Sequence, residues 1–418
     1  MSTMTGVMRR RTLLAGAGML AAPRIGRAQT ATAKTGTIKI GMQSILSGAI
    51  ALLGTSSRNA AQMAIEQLNA AGGLGGRKIE LVVRDSKGQP QEAARIAREL
   101  VNSDGCEILL DAEASSGAFA VQEVVRDLGV LCLHTASETS SLTADPKLRS
   151  ATAFRCARQG VHDAVVGGGY TAKMATARKM TRLATCSPDY AYGRDTTKQY
   201  VDFIKHFKPD VQIITAAWPK LGKPDFTDVI TKLIQARPQG MFSLLYAGDL
   251  SSFVNQANVY ALFGQTAMFN PNMGDYPVLH AIKSVPQGSY SGTRYLESFP
   301  DTPQNKAWGE DYRRRFNAFP TNWAWQMATA VAFLDAAAKK AGSADGKKMA
   351  QALPGLTIAS PFGVNGKITM RDDHTIADYA IGWGNTTAKP PYVVDIVPGD
   401  WGRITELETE WKKQNGYV

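Results

Sequence analysis

The sequence predicts an α/β protein built from two wound parallel sheets, and three observations carry that expectation. Short β-type runs alternate with amphipathic helical stretches over most of the chain. The alternation restarts after about residue 157, so it comes in two sets. At 418 residues, 44% hydrophobic and 20% charged, the chain also has material for two cores of ordinary composition. That balance excludes a disordered chain, a collagen and a disulfide-stapled miniprotein.

The first set begins with a strand at Ile38-Lys39-Ile40-Gly41-Met42. A helix after Ser57 follows, with Ala61, Ile65 and Leu68 at helical spacing, and Gly72-Gly73 stops it. Ile79 to Val83 is the second strand, and the next helix carries Ala93, Ile96, Ala97 and Leu100 on one face. Glu107 to Leu110 is the third strand. A helix from about Ser116 has Val121, Val124, Val125 and Leu128, and it leads to a strand at Val130 to Leu133. Four such steps imply a parallel sheet covered on both faces. The second set runs from the strand at Arg182 to Cys186 through strands at Val211 to Ala216, Met241 to Tyr246 and Ala267 to Phe269, with helices between them. After Tyr295 two long helices, around Trp308 to Phe316 and Met327 to Leu334, have no strand between them and are expected to return and cover the first sheet.

The N-terminal segment reads as an address. Arg9-Arg10-Arg11 precedes an apolar run, and Gly26-Arg27-Ala28 sets small residues at the positions a signal peptidase reads, so residues 1–28 are expected to be a twin-arginine-like signal cut after Ala28. The apolar run is well short of the ~20 residues of a spanning helix, and no membrane insertion of the mature chain is expected. The formal charge of +11 shrinks accordingly. Removing the five Arg of the signal leaves 42 basic against 36 acidic residues, a net charge of +6. The remaining basic residues are scattered. Arg313-Arg314-Arg315 follows acids in a helix and reads as a solvated face, so no nucleic-acid partner is expected.

Catalytic and metal signatures are absent. No G-x-S-x-G, P-loop or H-E-x-x-H occurs, and Gly72-Gly73-Leu74-Gly75-Gly76 lies between a helix and a strand, the wrong order for cradling a pyrophosphate. The five His are dispersed, and Cys106, Cys132, Cys156 and Cys186 show no metal spacing. Their pairing is left open, between buried thiols and a disulfide. No cofactor, no metal and no enzymatic activity are expected.

Ligand chemistry is concentrated in loops at the carboxyl ends of strands. Asp111 to Gly117 opens a helix, where Ser115 or Ser116 can cap while free backbone N–H groups make an anion site; a capping role alone is the competing reading. Thr135-Ala136-Ser137-Glu138-Thr139 offers hydroxyl, carbonyl and carboxylate groups, and in the second half Asp249 of Ala247-Gly248-Asp249 either accepts from an ammonium or amide or merely caps the helix from Leu250. Phe119, Tyr190, Tyr192, Tyr246, Phe269, Tyr276, Trp323 and Trp325 cluster near such edges; Tyr190 and Tyr192, in a turn at a strand's end, are the best placed for a ligand.

These residues resemble a known family, the solute-binding proteins of ABC importers of the branched-chain amino acid (Leu/Ile/Val) type. The similarity runs from about Ile38 to Pro398. It rests on Ile38-Lys39-Ile40-Gly41 with Leu46-Ser47-Gly48, on Asn69 to Ile79 with its glycines, on Asp85, and on Ala114-Ser115-Ser116. Asp189-Tyr190-Ala191-Tyr192-Gly193, Trp218 to Thr227 and Ser360-Pro361-Phe362-Gly363 complete it. The resemblance implies the type I periplasmic-binding fold, two Rossmann-like lobes with parallel sheets joined by three crossover strands and closing on a small-molecule ligand. It implies residues 36–156 plus 294–372 as one lobe, 157–293 plus 373–400 as the other, and 401–418 as a C-terminal tail. The expected partners are the ligand and the permease subunits of the inner membrane, with the protein itself a monomer.

Carried over residue by residue, Ser115, with Ser116 beside it, matches the family's carboxylate site. Ala136 and Glu138 fall in the loop that holds the ligand's carboxylate and ammonium, Tyr192 matches a second-lobe tyrosine, Asp249 lies in the loop after that lobe's next strand, and Leu53 stands where the family is often aromatic. The acid common in binders of α-amino acids would fall near Asn272, which is uncharged. Glu138 or Asp249 is then left as the ammonium partner; if neither serves, the ligand lacks an amino group, and an amide, a urea-like compound or an aromatic carboxylate becomes competitive. A nutrient-sensing regulator on the same fold and a secreted hydrolase are the readings from other classes.

Overall fold

The computed structural model describes residues 1–3 and 36–418; the expected export signal beyond its first three residues, and its cut, fall on residues 4–35, outside this set. The first wound unit is β1 (Thr37–Ser44), α1 (Ala51–Ala70), β2 (Lys78–Asp85), α2 (Pro90–Asn102), β3 (Ile108–Ala112), α3 (Ser115–Leu128), β4 (Leu131–His134), a single turn α4 (Ser141–Ala144) and β5 (Ala153–Arg155). Its five strands are all parallel, in the order β2-β1-β3-β4-β5. Strand β3 is buried along its whole length, as a parallel strand covered on both faces must be.

The second unit is α5 (Gly160–Ala177), β6 (Arg182–Cys186), α6 (Ala191–Phe207), β7 (Gln212–Ala217), α7 (Thr227–Ala236), β8 (Gly240–Ser243), α8 (Ala247–Val259), β9 (Ala267–Asn270), α9 (Tyr276–Ala281) and β10 (Ser289–Gly292). Helices α10 (Pro303–Phe316), α11 (Asn322–Ala341) and α12 (Gly346–Ala352) follow. Then come β11 (Thr357–Ala359), β12 (Lys367–Met370), β13 (Ile376–Ala377), β14 (Gly382–Thr386), β15 (Val393–Pro398) and α13 (Trp401–Gln414). The second sheet has seven strands, β15-β14-β10-β9-β8-β6-β7. It is parallel except at one edge, where β14 runs antiparallel to β10 and β15 antiparallel to β14. The chain thus leaves the first sheet after β5, leaves the second after β10 and re-enters it at β14, three passages in all.

As expected, the two long helices after Tyr295 return to the first sheet: α11 packs along α1 and touches β3. Its alanines (Ala324, Ala330, Ala337, Ala338) are buried and let the two helices approach. Ser56 of α1 and Thr321, just before α11, share a hydrogen bond of 2.7 Å.

Four features depart from the sequence reading. Helix α1 begins at Ala51, earlier than Ser57. The strand expected over Met241 to Tyr246 ends at Ser243, because its neighbour β9 pairs only as far as Phe242, and Leu244 to Tyr246 become the loop that enters α8. Helix α5 was not foreseen. Its glycines admit close neighbours: a Cβ on Gly167 would stand 2.7 Å from the Trp383 ring, and one on Gly168 3.0 Å from Phe203. Residues 401–418, expected as a tail, carry α13, which buries Ile404, Leu407, Glu408 and Trp411 against α5. Glu408 there accepts from His162 Nε2 (3.0 Å) and from both Arg371 Nη atoms (2.7 and 2.9 Å), with Lys412 Nζ at 2.9 Å.

The four cysteines are buried and unbridged. Burial pushes the Cys106 thiol up to about 11 and that of Cys186 to about 12. Among the described residues no helix is long and apolar enough to cross a membrane, and no group of three or more His, Cys, Asp or Glu is placed to hold a metal ion.

Candidate functional site

Loops from the carboxyl ends of both sheets converge on one small cavity. Leu53 comes from α1, Ala114 and Ser115 from the start of α3, Ala136 and Glu138 from the loop after β4. Tyr190, Tyr246 and Asn272 come from loops after β6, β8 and β9, and Tyr192 from the first turn of α6. Arg294, from the passage after β10, and Trp323, from the first turn of α11, complete the lining.

The wall from the first sheet is held rigidly. Asp111, at the end of β3, accepts from Gln43 Nε2 of β1 (3.0 Å) and faces His134 Nδ1 of β4, while Thr135 N–H and Oγ1 both donate to its carbonyl (2.8 and 2.9 Å). His134 Nε2 lies 2.7 Å from Gln122 Oε1 of α3. Strand ends and helix are thereby locked through groups that are almost fully buried. Arg155 donates to the carbonyls of Ser137 (3.3 Å) and Thr139 (2.7 Å) and fixes the next loop.

Neither serine caps α3. Ala114 occupies the cap position and has no acceptor to offer, so the first-turn N–H groups have no side-chain cap at the cavity's edge. Ser115 Oγ accepts from Ser137 Oγ (3.3 Å) and from Thr139 N–H (3.4 Å), which leaves its own proton to donate. Ser116 is half-buried and does not line the cavity.

Tyrosines dominate the opposite wall. Tyr190 Oη donates to Tyr246 Oη at 3.2 Å, and the Tyr192, Tyr246 and Trp323 rings follow one another edge to face with centroids 6.5 and 5.8 Å apart. Burial pushes the Tyr190 and Tyr192 phenols well above their ordinary range, so both remain neutral hydrogen-bonding groups. Ala247, next to Tyr246, holds a left-handed φ of 47°, local strain of roughly 1 kcal/mol beside the cavity. Trp325 does not reach the cavity; its Nε1 donates to the Arg294 carbonyl at 2.9 Å.

The cleft is shut at its rim. A Cβ on Gly248, in the first turn of α8, would stand 2.9 Å from the Ala49 carbonyl oxygen of the loop after β1, and one on Gly222 3.9 Å from Ala49 Cβ. Asp249 serves that rim. Its Oδ2 accepts from Gly222 N–H at 2.8 Å, and it is not among the lining residues. Its expected place beside a ligand ammonium is therefore corrected: the helix turns its carboxylate toward the 218–224 loop, where burial raises its pKa against the pull of that N–H.

Of the eight residues the sequence singled out, Leu53, Ser115, Ala136, Glu138, Tyr192 and Asn272 meet in the cavity, and Ser116 and Asp249 stand outside it. Arg294 was missed. Its Nη2 pairs with Glu138 Oε1 and its Nη1 with Asp163 Oδ2 at 2.6 Å, and no local pattern marks a lone arginine in a crossing segment as a pocket residue.

The family of periplasmic binding proteins matches residues 37–386. A leucine-, isoleucine-, valine-, threonine- and alanine-binding protein of Pseudomonas aeruginosa is 27% identical over 332 residues, 78% of this chain and 84% of that one. The Leu/Ile/Val-binding protein of Escherichia coli K12 is 24% identical over 226 residues, 54% of this chain and 59% of its own length. Among solved structures, an ABC-transporter solute-binding protein from Rhodopseudomonas palustris in complex with 3,4-dihydroxybenzoic acid superposes with a TM-score of 0.79 at 22% identity, covering 87% of this chain and 98% of that one. A branched-chain amino acid transporter substrate-binding protein from Streptococcus pneumoniae in complex with isoleucine gives 0.72 at 20% identity, covering 87% and 100%. These likenesses establish the type I fold, and with a match over most of its length the chain belongs to the periplasmic binding protein family.

Proposed function

We propose that this protein is the exported solute-binding component of an ABC importer, capturing a small carboxylate in the cleft and presenting it to permease subunits in the inner membrane. The observation that carries the reading is the cavity itself, whose walls come from loops of both sheets and which meets no nucleophile–base pair or metal group among the described residues. Relatives named for binding branched-chain amino acids, and neighbours holding isoleucine, benzoate or dihydroxybenzoate, support a small amino acid or related carboxylate as the class. The protein binds and releases rather than catalyses, acts as a monomer in the periplasm after cleavage near Ala28, and takes no cofactor. Residues 36–156 with 294–372, and 157–293 with 373–400, move as two lobes about the three passages, and the Ala49–Gly248 rim opens to admit the ligand.

A thermal-shift screen of amino acids, amides, urea-like compounds and aromatic acids tests the reading. A ligand at 100 times its Kd adds about 2.7 kcal/mol of stability. Silence across every class sinks the proposal, and turnover of a stabilising compound replaces it with an enzyme.

A further inference from the structure

A fourth connection runs between the two sheets beside the three backbone passages, and side chains make it. Helix α13 goes with the second sheet: it follows β15 after two residues, and its Ile404 shares a groove with Val165 and Val166 of α5. The turn 371–375, between β12 and β13, is fastened to the first. Arg155 N–H of β5 donates to the His374 carbonyl at 2.8 Å, His374 Nδ1 donates to the Ala153 carbonyl at 2.9 Å, and the His374 ring stacks on Phe154 with centroids 4.1 Å apart.

Ion pairs cross from the helix to that turn. Arg371 Nη1 and Nη2 donate to Glu408 Oε2 and Oε1 at 2.7 and 2.9 Å, a two-pronged contact of fixed direction. One turn further along α13, Lys412 Nζ donates to Asp373 Oδ2 at 2.7 Å and lies 2.9 Å from Glu408 Oε1. These four side chains are between 1 and 22% exposed, so salt screens them weakly. None of them lines the cavity.

The pairs belong to the shut cleft, in which the rim is closed. Turning one sheet away from the other about the passages pulls the guanidinium off its carboxylate. Glu408 then stays against α5 with His162 but without Arg371, and a buried charge parted from its partner is costly. That cost falls on the open state alone.

We infer that α13 is a strap across the hinge: its Glu408–Arg371 and Lys412–Asp373 pairs favour the shut lobes and so set how tightly a solute is kept, without touching the solute. The four are positioning residues. The inference rests on the lobe motion proposed above and not on a solute, so a screen in which no compound binds leaves its test standing.

Disulfide trapping at the rim reads the shut state directly. A Cβ on Gly222 would stand 3.9 Å from Ala49 Cβ, within the ~3.5–4.5 Å that a disulfide spans, and both residues are exposed. The protein carrying Ala49→Cys and Gly222→Cys, oxidised with glutathione disulfide and no solute, is expected to cross-link at a rate proportional to its shut fraction. The strain of a cysteine at Gly222, whose φ is 77°, is common to every variant compared, and the four native thiols are buried. Adding Lys412→Met or Arg371→Gln is expected to slow the cross-link about tenfold, and without the rim cysteines to raise the Kd of any solute found by the same factor. Ile404→Val, which loosens α13 from α5 inside one lobe, should lower the melting temperature and leave the rate unchanged. A rate within twofold of the parent in both folded charge variants overturns the strap, as does a parent that never cross-links. Equal slowing by Ile404→Val assigns the effect to the packing of α13 and overturns the pairs. If Arg371→Gln does not fold, Lys412→Met decides.

Discussion

Gly248→Ala isolates the closing of the cleft from the chemistry inside it. Gly248 is the second residue of α8, where alanine is the better helix former by up to ~1 kcal/mol. With the rim apart, the new methyl has nothing to meet, so the unliganded protein is expected to melt at the same temperature or slightly higher. With the rim closed, the methyl stands 2.9 Å from the Ala49 carbonyl oxygen, a distance at which backbone must move. Overpacking of this kind costs about 1–3 kcal/mol, which raises Kd roughly 5- to 150-fold because only the closed state suffers. The assay is calorimetric titration with the tightest solute from the screen, alongside a melt without ligand. An affinity within twofold of the original refutes the idea that binding requires this contact, and a parallel fall in the unliganded melting temperature refutes the idea that the open state is spared.

Ser115→Ala removes a donor from the cavity wall and is expected to weaken binding by about 5- to 100-fold with little loss of stability, as titration and melting will show. Asp249→Asn, outside the cavity, should weaken it less than tenfold; a larger effect than that of Ser115→Ala would return Asp249 to the ligand. Burial works against ionised Glu408, but His162 and Arg371 hold its carboxyl well below the usual range. Because the folded value is depressed, its stabilisation is present above the unfolded carboxyl value near 4.5 and is lost as pH falls below it. Acid melts should therefore be steep below that pH, and Glu408→Gln, about 3–5 kcal/mol less stable at pH 7, should have a shallower acid slope. The four thiols should stay unreactive toward a thiol reagent at pH 8 until the protein is unfolded; fast labelling of the native protein would contradict their burial.

Much of the fold was legible because it is written locally. Helix α2 shows its buried face as Ala93, Ile96, Ala97 and Leu100, and β3 and β4 are short apolar runs bounded by polar loops, so spacing alone reports them. Helix α5 was hidden because it is buried nearly all round and shows no amphipathic contrast, while its glycines imitate a breaker. Strands β10 and β14 are short and glycine-containing, and they are held by their neighbours β9 and β15 and by each other, the last pairing spanning some ninety residues of intervening chain. In the cavity the same division holds. Ser115, Glu138 and Tyr192 were found because they sit where a strand ends and a helix begins, a place a sequence marks.

What the sequence determined by itself was the alternation of strands and helices, the positions of the ligand loops and the family, since each is encoded by neighbours along the chain. What only the tertiary structure decided was the electrostatics of the site. Glu138 reads as a free acid in its loop, and it becomes half of an ion pair because the passage after β10 brings Arg294 to it from 156 residues away. Asp249 reads as a ligand acid and becomes a rim contact, because α8 points its carboxylate to Gly222. Charge is a property of everything within a few ångströms in a medium that screens poorly, and which groups fall within that distance is settled by packing rather than by order along the chain.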